Sequence, residues 1–322
     1  MILLVDGNNI AYRAFHTPQG SLTTKQGEPT GVMLGVLNSL KGYLEKFPET
    51  TRVVVVWDGG KAKWRKELYP EYKSNRSYGE DPEEKAKFDG LFQQIDTLHE
   101  FLPDLGVHSI KLKGWEADDI IAKVCGVISE ASKKVDHIML VTSDKDMLQL
   151  VGPRVSVYTP YKDKIISPLN FYEETGVTQD AYLGYRALVG DTSDNISGVS
   201  GIGEKTAKNL MDTYGHIDNI LGSTGDTKAK LMKSKRTAKI FDPVNLNILA
   251  RNNKIMNFKY VPDDPTVEEA VYRSLGQNDA QVIAGPQYNA GRVKQFFTRW
   301  QFISLLTNYL PFAAVFMALG ED

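Results

Sequence analysis

Three short apolar runs in this chain end in acid: "ILLVD" at Asp6, "VVVVWD" at Asp58, and "HIMLVTSDKD" at Asp144 and Asp146. Continuous runs of this length, rich in β-branched residues, read as strands buried on both faces of a parallel sheet. Between them lie helical patterns. "GVMLGVLNSLKGYLEKF" puts Val32, Val36, Leu40, Tyr43 and Phe47 on one face, and "EEKAKFDGLFQQIDTLHEFL" follows Pro82, a residue suited to the first helical position. Strands alternating with helices predict an α/β fold with a mostly parallel central sheet flanked by helices. Ligands of such sheets bind beyond the carboxyl ends of the strands. The acids lie there.

A further acidic stretch, "GWEADD", precedes the apolar run "IIAKVCGVI". On a helical wheel, Ala117, Ile120, Ile121, Val124, Val127 and Ile128 form one stripe, with Glu116 at its border, Asp119 further round and Asp118 beyond the other edge. Acids in a first turn complement the helix dipole, but that does not account for the rest. In "SDKD", Asp144 and Asp146 would face the same way in an extended segment. In "GDTSDN", Asp191 and Asp194 are spaced as on one side of a helical turn. Two unpaired carboxylates ~6 Å apart at an effective dielectric near 20 repel by roughly 3 kcal/mol. Holding Asp6, Asp58, Glu116, Asp118, Asp119, Asp144, Asp146, Asp191 and Asp194 together therefore calls for cations. Oxygen donors with no His or Cys at ligand spacing favour Mg²⁺ or Mn²⁺ over zinc.

Composition narrows the class. A charged fraction of 24% beside 42% hydrophobic residues is that of a globular protein, and a single cysteine, Cys125, excludes a disulfide framework. "MILLVDGNN" is too short an apolar start for a signal peptide. Residues 291–322 form an apolar tail, interrupted by Gln301, Asn308 and Pro311, that reads as a packing or partner-binding helix rather than a membrane span. A cytoplasmic location is expected. From about residue 180 the pattern is helical, with no strand signal before "FKYVP".

The stretches "LLVDGNNIAYRAF", "VVWDGG", "YPEYKSNR", "GWEADDIIA", "VTSDKDMLQLV" and "GDTSDNISGVSGIGEKTAKNL" occur in the order seen in the 5′→3′ exonuclease and flap endonuclease family. The chain resembles its free-standing, bacteriophage-type members and the 5′-nuclease domain of bacterial DNA polymerase I. The resemblance covers residues 1 to roughly 215. It implies a PIN-like 5′-nuclease core over 1–180 with a helical arch at about 59–100, and a helical DNA-binding region over 181–290 with a helix-hairpin-helix variant at about 196–214. It further implies a phosphodiesterase using Mg²⁺ ions, with Mn²⁺ as substitute, on DNA with 5′ ends, flaps and nicks and on RNA primers paired to DNA. Asp6, Asp58, Glu116, Asp118 and Asp119 match the family's first metal cluster; Asp144, Asp146, Asp191 and Asp194 match its second.

The stretch Gly59–Arg76 carries six cations interleaved with Trp64, Tyr69 and Tyr72, suited to tracking phosphates and stacking unpaired bases. By resemblance, Lys73 and Arg76 contact the scissile phosphate and Arg13 is another basic residue near the site. Gly198, Gly201 and Gly203 open a helix whose amides can hold phosphate, with Lys205 and Lys208 adding contacts; the family carries a monovalent cation such as K⁺ on the hairpin carbonyls. A second basic stretch, Lys228 to Lys239, holds six cations and no acid. A phosphatase would want a second Asp where Asn8 stands. A branched-DNA binder without catalysis could dispense with the acids, and PIN-type ribonucleases usually lack the glycine hairpin. The C-terminal tail is expected either to cap the helical region or to dock on a replication protein.

Overall fold

The computed structural model describes residues 1–76, 81–130, 137–275 and 285–319; residues 77–80 of the expected arch lie outside them. The apolar runs pair as expected. β1 (Ile2–Asp6), β2 (Arg52–Trp57), β3 (His108–Lys111), β4 (Ile138–Val141) and β5 (Val155–Thr159) form a parallel sheet ordered β3-β2-β1-β4-β5. A short edge strand, β6 (Lys164–Ile166), joins antiparallel to β5. Helices α1 (Gly7–Phe15), α2 (Gly31–Lys46), α3 (Lys63–Leu68), α4 (Pro82–Phe101) and α5 (Ala117–Glu130) connect the first four strands. Past β6 come α6 (Phe171–Thr175), α7 (Gln179–Val189), α8 (Glu204–Tyr214), α9 (Ile217–Leu221), α10 (Gly225–Lys233), α11 (Lys235–Ala238), α12 (Pro243–Met256) and α13 (Pro265–Ser274). α14 (Ala290–Arg299), α15 (Ile303–Thr307) and α16 (Tyr309–Met317) follow.

Successive strand residues point to opposite faces, and both faces are covered. Leu4, Val54, Val56 and Leu140 join the stripe of α5 and residues of α7, α8, α12 and α13 in one core. Leu3, Val5, Val53 and Val55 join α1, α2 and α4 in the other. The connections reverse direction between β1 and β4, which are neighbours in register from Ile2↔Ile138 to Val5↔Val141. That crevice is the switch point at which such sheets bind ligands.

Two local readings change. "FKYVP" is not a strand: Phe258–Tyr260 form a single 3₁₀ turn. The only strands among the described residues beyond 180 are the two-residue pair β7 (Gly190–Asp191) and β8 (Ile196–Ser197). The C-terminal segment packs on the α/β core rather than on the helical region. Val293, Phe297, Phe302, Leu305, Phe312 and Phe316 are buried in the same core as α2 and α4. These residues are therefore not free to dock on a partner. No helix among the described residues is long and apolar enough to cross a membrane.

Candidate active site

Asp6 closes β1 and caps α1, its Oδ1 accepting from the Asn9 amide at 2.9 Å, while Oδ2 accepts from Thr142 Oγ1 at 2.9 Å. The switch point thus carries an acid where β1 gives way to α1. Asp58 follows β2; its amide donates to Asn8 Oδ1 and its Oδ1 accepts from the Ala117 amide, both at 2.8 Å. Backbone bonds of 2.9 Å between Gly59 and the Gly114–Trp115 pair bring "DGG" beside "GWEADD". A cavity of about 440 Å³ opens there, lined by Asp6, Asp58, Asp118 and Asp144 together with Lys73, Arg76, Asn8, Asn75, Tyr12, His16 and Phe88.

Burial, with neighbouring carboxylates adding to it, raises these acids above the usual range. Asp6 is pushed up to about 7, and Asp58, Asp118 and Asp144 are raised. Four oxygen donors from four chain segments, each disfavoured as an anion, fit hard divalent cations. Among the described residues, however, no three acidic, histidine or cysteine side chains already stand at metal-ligand spacing. The donors suit a hydrated ion more than a closed cage, because Mg²⁺ usually keeps several of its waters.

The other five acids are held by cations of the chain itself. Arg65, 3% exposed, pairs with Asp119 Oδ1 at 2.7 Å and Glu116 Oε2 at 3.1 Å, and its Nε donates to the Ile255 carbonyl at 2.9 Å. Arg186 bridges Asp146 and Asp191, each at 2.7 Å. Lys73 Nζ lies 3.0 Å from Glu116 Oε1 and 3.7 Å from Asp194 Oδ2, and Arg76 pairs with Asp194 at 2.5 Å. Burial opposes the charge on Lys73, yet Glu116 and Asp194 overcome it and hold the ammonium above its ordinary value. Burial likewise opposes ionisation of Glu116, but Lys73 and Arg65 keep it below the usual range.

Of "GWEADD", then, only Asp118 opens to the cavity; Glu116 and Asp119 are answered inside the protein. The "SDKD" pair is not extended either. Asp144 Oδ1 accepts from the Asp146 amide at 2.7 Å in a tight turn, which sends Asp146 toward Arg186. Asp191 ends β7 and Asp194 sits in the turn before β8, not on a helix. Arg13 is turned away from the cavity, donating to Ser39 and Tyr43 on α2. Tyr72 is not a stacking surface: it is 2% exposed, donates to Glu116 at 2.9 Å and lies 3.2 Å from Asp194. Trp64 and Tyr69 stack instead on Arg65 and Arg251. Arg65, one of the six cations expected to track phosphates, is instead buried among acids; Arg186 carried no expectation, although an arginine inside the apolar pattern "AYLGYRALVG" is a signal of a buried ion pair.

The glycine stretch forms a turn that opens α8. A Cβ on Gly198 would stand 2.2 Å from the Val189 carbonyl, and Gly201 has φ 82°, so neither position accommodates a side chain without strain. Gly203 caps α8, and Lys205 is exposed on its first turn. Lys208 leans over the Tyr185 ring beside Gly176, while Lys239 from the second basic stretch approaches Gly201.

Residues 1–179 match the family described as "5'-3' exonuclease, N-terminal resolvase-like domain", and residues 177–257 match "5'-3' exonuclease, C-terminal SAM fold". The 5'-3' exonuclease of Bacillus subtilis (strain 168) is 38% identical over 227 residues, spanning 68% of this chain and 72% of that protein. The thermostable DNA polymerase I of Thermus aquaticus is 36% identical over 220 residues, spanning 68% of this chain and 25% of the polymerase. The chain thus matches about a quarter of that relative's length. A structure of T5 5'-exonuclease with bound divalent metal ions (zinc) superposes with a TM-score of 0.69 at 24% identity, over 85% of this chain and 98% of that one, a likeness of fold.

Proposed function

The chain belongs to the 5′-3′ exonuclease family, and on that premise we propose that it is a Mg²⁺-dependent, structure-specific nuclease cutting phosphodiesters at 5′ ends, flaps and nicks of DNA. The observation that carries this reading is the shared cavity: Lys73 and Arg76 line it together with Asp6, Asp58, Asp118 and Asp144. Asp6, Asp58, Asp118 and Asp144 would hold divalent ions. Asp146, Asp191 and Asp194 would join them if Arg186, Lys73 and Arg76 gave way, and Glu116 and Asp119 would act from behind. Bound ions of this kind lower the pKa of a water and stabilise attacking and leaving oxygens.

The chain's own part is positional and electrostatic. Lys73 and Arg76 present fixed positive charge where a phosphate entering the cavity develops negative charge. Glu116 fixes the Lys73 ammonium, and Arg65 and Tyr72 fix Glu116 in turn. The hairpin amides and Lys205 grip the duplex beside the cut through its backbone, with K⁺ on the hairpin carbonyls. Recognition is therefore of structure rather than sequence. RNA primers on DNA are a second substrate class for the same site, since nothing in this reading depends on base edges.

The test is single-turnover cleavage of a 5′-flap, a linear duplex and an RNA–DNA hybrid at fixed Mg²⁺. Lys73→Ala should slow flap cleavage by ~10²-fold or more at nearly unchanged affinity. A wild-type rate for Lys73→Ala would remove it from the catalytic set.

A further inference from the structure

Lys73 and Asn195 both adopt the left-handed backbone conformation, with φ of 53° and 58°. Residues with side chains rarely do so, except Asn, Asp and His. The two lie on segments that clasp one another. The Lys73 amide donates to the Asp194 carbonyl at 2.9 Å. The side-chain amide of Asn195 donates to the Glu71 carbonyl at 2.9 Å and to Ser74 Oγ at 3.0 Å, one partner on each side of Lys73. From the other segment, the side-chain amide of Asn75 donates to the Thr192 carbonyl at 3.0 Å. Ile196, next in the chain, is buried against Tyr72, so the clasp has an apolar floor.

We infer that Asn195 is a positioning residue that sets the place of Lys73. Its chemistry suits the task. Asparagine tolerates a left-handed backbone, and its amide carries two N–H donors; both are used here. Aspartate at this position would have no donor and would add an anion beside Asp191 and Asp194. Lysine in a left-handed conformation has no such local help, and its backbone is held by the loop opposite. That loop also carries Asp191 and Asp194. The cation at the reacting phosphate is thereby tied to the second group of acids, and disturbing one disturbs the other. The inference rests on the reading of Lys73 as the cation at the scissile phosphate.

The experiment pairs Asn195→Gly with Lys73→Ala. Glycine keeps the left-handed backbone without strain and removes only the side-chain bonds, so the variant folds. Asn195→Gly should slow single-turnover flap cleavage about 10-fold at nearly constant affinity, and less than about 2-fold when Lys73 is already alanine, since residues acting through one another are not additive. Multiplying effects would overturn the inference, as would a wild-type rate for Asn195→Gly beside a slow Lys73→Ala. Hydrogen exchange at the Lys73 amide reads the clasp without any cleavage and should quicken about 10-fold in Asn195→Gly, as local opening becomes easier. Unchanged protection overturns the clasp whatever Lys73 does. Quicker exchange beside a wild-type rate for Lys73→Ala would retain the clasp and discard the catalytic reading of Lys73.

Discussion

Arg65 Nη2 and Asp119 Oδ1 stand 2.7 Å apart where neither side chain is more than 4% exposed. Arg65 comes from α3 and Asp119 from α5, and the same guanidinium reaches the Ile255 carbonyl on α12. One buried cation thus joins the base of the expected arch, the sheet-covering helix and the helical region.

Breaking such a pair from one side leaves a buried charge uncompensated. Arg65→Met should lower stability by about 3–5 kcal/mol, whereas adding Asp119→Leu should restore much of the loss, because well-packed apolar pairs often replace buried ion pairs at little cost. Urea unfolding of the three proteins measures this. A single variant as stable as wild type would show that the pair is not buried in solution.

Metal and pH are linked through the crowded acids. Burial and neighbouring carboxylates raise Asp6 and Asp146 to about 7. Their folded-state values lie above the unfolded ones, so the stability they contribute is present below about pH 4 and is lost as pH rises to about 7. His108 acts in the opposite sense: burial lowers it to about 4, so its contribution is lost as pH falls below about 6.5. His108 is unaffected by ions at the acids and cancels in a comparison. The rise in Tm on adding Mg²⁺ in place of EDTA should therefore grow between about pH 4 and 7 and then level off. Asp144→Asn should raise the EDTA value at pH 7 and abolish cleavage. A Mg²⁺ effect independent of pH would count against ions at these carboxylates.

Duplex binding should divide the hairpin lysines. Lys205 is exposed, whereas the Lys208 ammonium lies over Tyr185. Lys205→Ala should flatten the salt dependence of duplex affinity by ~0.9 log units if one phosphate contact is lost. Lys208→Ala should change the slope less. Anisotropy titrations between 50 and 200 mM salt, about the range over which such contacts are read, decide it, and an unaltered slope for Lys205→Ala moves the duplex elsewhere.

The C-terminal segment should behave as core. Phe297 is fully buried, and Phe297→Ala should cost about 3–5 kcal/mol. Leu310 is 78% exposed, and Leu310→Ser should stay within about 0.5 kcal/mol. Equal costs at the two positions would contradict the burial seen here.

The strands and the acids at their ends were legible because both signals are local: a β-branched run, then a carboxylate where the sheet stops. Asp118 could be placed beyond the apolar stripe of α5 by periodicity alone. What answers each acid was not legible. Arg65 and Asp119 are 54 positions apart, as are Arg186 and Asp146 by 40, and no periodicity links them. Arg13 and Tyr72 carried the right chemistry and proximity in sequence, but the direction in which each side chain turns depends on α2 and on Glu116. The C-terminal segment looked apolar without showing which surface it would cover.

The core shared by α2 and α16 also has a consequence in time. Leu40 and Phe312 lie in one buried cluster although about 270 residues separate them. At synthesis rates of roughly 5–20 residues per second, the apolar side of α2 that meets α16 waits about 15–55 s for its cover. During that interval the nascent chain presents an uncovered apolar surface, open to non-native association.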